Sequence, residues 1–152
     1  MKPKMPFKQY FIKYWLPVVL GMCLIFWMST ETFSSGNTSS FVKAILRLLV
    51  PEISPQEVGL VHAFIRKAAH VIEYFILGLL LFRAFRGDSN ASFNWRWPLF
   101  AVTVVALWAA SDEFHQFFVP TRAASAVDVG MDTAGGMFGQ VVSALRHFYR
   151  RK

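Results

Sequence analysis

Apolar residues run almost unbroken from Tyr10 to Met28, a stretch of about nineteen residues that can cross a hydrocarbon core of roughly 30 Å. Pro17 lies inside it and predicts a kink. Ser29 to Ser40 is too rich in Ser, Thr, Gly and Asn to remain in hydrocarbon and reads as a loop. Phe41 to Val50 is too short to span; Lys43 and Arg47, four apart, give it one basic face and predict an interfacial helix. Ser54, Pro55 and Glu57 supply an N-cap, a first-turn proline and an N3 acid. They predict a helix to about Phe85, whose first turns stand outside the bilayer and whose spanning part covers 66–85. Arg86 to Trp95 reads as a turn. A third span over 97–118 opens at Pro98 and ends before Pro120. After a loop through Arg122 and Ser125, a fourth covers 129–147, with Gly135 and Gly139 at small-xxx-small spacing. The pattern predicts a single all-α integral membrane domain over 1–152, with four transmembrane helices plus a short interfacial helix in the first outer loop.

Composition agrees with lipid as the solvent: 55% of the 152 residues are hydrophobic, 16% are charged, and the mean hydropathy is +0.39. The net charge of +7 does not point to nucleic acid, because the basic residues flank apolar runs instead of forming one stripe. Counted on alternate sides of the spans, eleven Lys and Arg fall with the termini and five on the other side. The positive-inside rule therefore predicts a multi-pass protein of the bacterial cytoplasmic membrane with both termini cytoplasmic. The basic, then apolar, start resembles a signal peptide, but no small-x-small site precedes Ser29, and a retained helix is expected. Cys23 reads as a small buried apolar residue, and Tyr10, Tyr14, Trp15, Trp27, Trp95, Trp97 and Tyr149 as interface anchors. The basic tail from Arg146 to Lys152 suits anionic lipid.

The acids reverse the basic bias: of nine, only Asp88 falls on the side of the termini. An ionisable group within a span costs about 2.5 kcal/mol or more, so such groups mark function by default. In the second span Lys67, His70 and Tyr74 share a face bordered by Glu73, with Arg66 beside them. The third carries Asp112 and Gln116 at i,i+4 and Glu113 next to them. In the fourth, Asp128 and Asp132 lie one turn apart, in register with Gly135 and Gly139. Three helices thus bring polar groups to one depth.

This ordered set resembles the VanZ-like membrane proteins. The matching residues are Arg66, Lys67, His70, Glu73, Tyr74 and Gly78, then Asp112, Glu113, Gln116 and Arg122, then Asp128, Asp132, Gly135 and Gly139; Ser29 and the serine-rich stretch after it also match. The motif-bearing region is 26–139. Asp132 stands where the family more often has Asn, and Thr121 where a Gly commonly precedes the Arg. The resemblance implies a cell-envelope protein whose name-giving relatives lower sensitivity to the glycopeptide antibiotic teicoplanin.

Two readings of the cluster compete. In one, Arg66, Lys67 and Arg122 pair with Asp112, Glu113 and Asp128 only to hold helices together. In the other, the cluster is an outward-facing site for the headgroup of an envelope lipid or lipid-linked cell-wall precursor. Arg66, Lys67, Tyr74, Gln116, Arg122, Asp128 and Asp132 would bind it, and His70, Glu73, Asp112 and Glu113 are the candidates for proton transfer. A carrier or proton pathway is the remaining class. GxSxG, P-loop, GxGxxG and HExxH patterns are absent; a two-carboxylate, one-His metal site is a further option without a fixed ligand spacing, so no metal ligand is assigned and the cofactor is left unknown. The bilayer is the expected partner, with a homo-oligomer through Gly135 and Gly139 as an option.

Overall fold

The computed structural model describes residues 5–30, 35–89, 92–119 and 124–150. Among them all regular structure is helical: α1 (Phe7–Met28), α2 (Ser35–Leu49), α3 (Pro55–Arg86), α4 (Arg96–Gln116) and α5 (Ala126–Tyr149). α5 packs between α3 and α4, α3 against α5 forms the most extensive interface, and α1 lies along α3.

Pro17 shapes α1 before the proline itself is reached. Lacking an N–H, it leaves the carbonyl of Lys13 without its usual donor, and its ring crowds that carbonyl. The preceding turn widens into a π-helical segment over Phe11–Trp15, and Arg83 Nη2 of α3 donates to the Lys13 carbonyl at 3.1 Å. Neighbouring side chains re-satisfy proline-freed backbone in this way inside membranes.

The start of α3 is fixed by the anticipated capping box. Glu57 N donates to Ser54 Oγ at 3.2 Å, while Ser54 N donates to Glu57 Oε2 at 2.8 Å. The 32 residues that follow make a rod of about 48 Å, longer than a hydrocarbon core. It stops at Gly87, whose φ of +55° favours glycine and whose added Cβ would strike the Tyr10 ring of α1.

Glycines decide how closely the helices approach. A Cβ on Gly135 would lie 2.6 Å from the Val71 carbonyl oxygen, one on Gly139 2.6 Å from that of Phe75, and one on Gly78 2.5 Å from that of Gly136. On the next face of α5, a Cβ on Gly136 would lie 2.5 Å from Val105 of α4. Gln140 Nε2 then donates to the Gly78 carbonyl at 2.7 Å, a hydrogen bond across the contact. The small-xxx-small face of α5 is thus packed against α3 within the chain.

Four local expectations need correction. α2 begins at Ser35 and takes in residues expected to form a loop, because Ser and Asn suit a helix start as well as they suit a loop. Cys23 is exposed on the outer side of α1. Tyr14 and Trp97 are buried, whereas Trp27, Trp95 and Tyr149 are exposed. Trp97 sits edge-on to Phe82, its ring centroid 6.1 Å away, because the start of α4 packs on the end of α3.

Two of the helices, α1 and α3, are long and apolar enough to cross a membrane. The glycine contact makes a prediction. Gly139→Val should destabilise the fold by about 1–3 kcal/mol, since a backbone carbonyl cannot swing aside as a flexible side chain can. Gly130→Ala, where nothing lies within 4 Å, should leave stability unchanged or raise it by up to about 1 kcal/mol. Thermal unfolding of both variants in detergent micelles checks this contrast.

Candidate functional site

The polar cluster begins where α1 ends. Ser29, fully buried, donates from its hydroxyl to Asp112 Oδ2 at 2.7 Å. Gln116, one turn after Asp112, donates to the same oxygen at 3.1 Å and lies 3.4 Å from Ser29 Oγ. Asp112 is only 2% exposed, so the bonds from Ser29 and Gln116 replace water that the carboxylate cannot reach. α1 is tied to α4 through this carboxylate.

Glu113, the next residue of α4, accepts through its Oε2 from the backbone N–H of Ser125 at 2.8 Å. Ser125 is the N-cap of α5 and its hydroxyl accepts from Val127 N at 3.2 Å. The acid of one helix therefore fixes where the next begins. Within the first turn of α5, Asp128 forms a salt bridge with Lys67 of α3. On α3, His70 Nδ1 lies 3.6 Å from Glu73 Oε2, and both side chains are largely shielded.

Asp132 is buried one turn beyond Asp128. Arg66, Lys67, His70, Glu113, Gln116, Asp128 and Asp132 line one cavity of about 10 Å³, space for roughly a single water. Tyr74 is wholly buried behind it, within electrostatic reach of Asp112, Asp132, Glu73 and Glu113. Ten of the eleven residues singled out from the sequence thus converge, from α3, α4 and α5. The eleventh, Arg122, lies outside the described residues. Among the described residues no three His, Cys, Asp or Glu side chains are grouped so as to hold a metal ion.

Sequence reasoning missed two contributors. Ser29 reads as the first residue of a polar loop, yet it is the donor that links Asp112 to α1; its match to the family pattern was the available signal. His62, buried in the N-terminal part of α3, lines a second cleft of about 420 Å³ with Lys43 of α2 and Arg66. Arg66 borders both spaces.

Around this polar interior the surface is apolar: Leu107, Phe114 and Phe138 are each more than 60% exposed on α4 and α5. Charge within and hydrocarbon outside is the arrangement of a protein solvated by lipid. A sequence model of the VanZ/LLP1 family matches residues 14–147. The chain belongs to the VanZ/LLP1 family. No curated protein and no solved structure matches it. Family membership and the two long apolar helices point to a membrane protein. The matched region takes in the whole polar cluster of this VanZ/LLP1 protein, from Ser29 to Asp132.

Removing the Ser29 hydroxyl strips Asp112 of one buried donor. Ser29→Ala should therefore cost about 1–3 kcal/mol, and in the background of Asp112→Asn it should cost clearly less. A double-mutant cycle on unfolding in micelles measures the difference.

Proposed function

We propose that this VanZ/LLP1 protein is a four-span protein of the bacterial cytoplasmic membrane whose outward-facing polar cluster receives the headgroup of an envelope lipid or lipid-linked cell-wall precursor. Such a protein contributes to glycopeptide tolerance, and to teicoplanin tolerance in particular. The observation that carries this reading is the shared position of Arg66. On one side it borders a 420 Å³ cleft with Lys43 and His62, and on the other the narrow cavity of Lys67, His70, Glu113 and Asp132. The cleft has the size of a small-ligand pocket, and its basic residues suit a phosphate or carboxylate. The acids and the His70–Glu73 couple behind it are positioned to accept or relay a proton from a bound headgroup. No reaction is assigned. A headgroup that reached the acids would have to part α3 from α4 and α5, because the inner cavity between these three helices admits about one water.

The four-span topology rests on the apolar outer faces of α4 and α5 together with the eleven-to-five split of basic residues. The inward faces of α4 and α5 carry Asp112, Glu113, Gln116, Asp132 and Gln140. In a Cys23→Ala background, a membrane-impermeant maleimide should label Glu52→Cys in intact spheroplasts and Ser92→Cys only after lysis. Labelling of both positions from outside would overturn the topology.

A second reading is favoured by the bonding itself. Ser29–Asp112, Glu113–Ser125 and Lys67–Asp128 each join two elements, as a purely structural cluster would. Cells expressing the wild type or Glu113→Gln, compared for teicoplanin and vancomycin sensitivity and for membrane abundance, separate the two. An envelope site predicts loss of protection at equal abundance, whereas a docking cluster predicts that protection and abundance fall together. Absence of protection by the wild type would reject the glycopeptide role.

A further inference from the structure

At the end of the molecule opposite the acidic cluster, α1, α3 and α5 enclose a second large space of about 350 Å³. Lys13 reaches it from α1, Arg83 and Arg86 from the last turn of α3, and Arg146 and Arg150 from the end of α5. Phe82 forms part of an apolar wall. Five cations from three separate elements thus face one cavity.

Ordinary features of the fold account for part of this charge. Basic residues complement the partial negative charge at the C-termini of α3 and α5, and the positive-inside rule favours them on this side. Neither requires them to converge on a cavity. Among the described residues the acid at this end is Asp88, and it is already taken by Lys13 at 2.8 Å and by the Tyr14 hydroxyl. The ammonium and hydroxyl beside it hold the Asp88 carboxyl below the usual carboxylate range. Arg83 gives one N–H to the Lys13 carbonyl. Arg86 Nε is buried without a hydrogen-bond partner among the described residues. Among the described residues no acid is paired to any of the four guanidinium groups, and a buried donor is left over.

We propose that this cavity binds a phosphate-class anion, and that it is a second ligand site distinct from the polar cluster at the other end. A tetrahedral phosphate offers oxygens to several guanidinium groups at once. The apolar wall at Phe82 suits the glyceryl or acyl portion of a phospholipid. The site does not depend on the function proposed for the acidic cluster.

The test uses the full chain in nanodiscs, first of phosphatidylcholine alone and then with about a third phosphatidylglycerol. Further arms add inorganic phosphate or pyrophosphate to the zwitterionic discs. The midpoint of thermal unfolding is the readout, with apparent affinity taken from its dependence on anion concentration. A rise with phosphatidylglycerol alone identifies the source as a lipid headgroup; a rise with phosphate or pyrophosphate identifies a soluble anion. In either case Arg86→Gln combined with Arg146→Gln should weaken the apparent affinity by about tenfold or more. Arg96→Gln, an exposed basic residue outside the cavity, should leave it unchanged. Arg150→Gln alters only the exposed rim and should show a smaller loss, which keeps the test decisive if the double variant fails to fold. Absence of any anion effect on the wild type, or an equal loss in Arg96→Gln, overturns the proposal.

Discussion

The backbone contact of α3 with α5 governs the positions of the charged groups between them. Gly135 and Gly139 bring α5 against the carbonyls of Val71 and Phe75, while Gly78 receives α5 from the other side. Toward the N-terminal ends of both helices, Lys67 and His70 of α3 stand with Asp128 and Asp132 of α5 around one cavity. A lateral displacement by one residue would turn these groups away from one another. The Lys67–Asp128 salt bridge and the narrow cavity follow from packing that itself contains no charge.

The acids of α4 extend the cluster to the rest of the chain. Asp112 holds the last residue of the α1 segment through Ser29, and Glu113 holds the first residue of the α5 segment through Ser125. Two adjacent residues on one helix thus reach two different neighbours, as side chains about 100° apart on a helix must. The polar groups link α1, α3, α4 and α5 at one level, while Phe114, Phe138 and Leu107 face outward. Stability and any chemistry at this level draw on the same side chains.

Much of this was legible in the sequence because the governing signals are local. The capping box at Ser54 and Glu57, the small-xxx-small spacing and the i,i+4 pairing of Asp112 with Gln116 each involve residues within one turn or two. What escaped depends on contacts between distant segments. Ser29 looks like loop until its donor partner 83 residues away is known. Trp97 looks like an interface anchor until Phe82 is found beside it. The start of α2 escaped for another reason, since Ser and Asn are common both in loops and at helix starts.

The π-helical turn in α1 gives Arg83 a second identity. Its guanidinium serves as the replacement amide for Pro17, closing the carbonyl of Lys13 while also contributing charge to the cavity between α1, α3 and α5. Position 17 and position 83 therefore form one unit of inheritance. A lysine at 83 would keep the charge but give up the planar fork that lets one group address a carbonyl and a cavity together, whereas a residue with an N–H at 17 would release the arginine from the carbonyl and leave it the Tyr14 ring and the cavity. Tolerance of change at either position is set by what occupies the other.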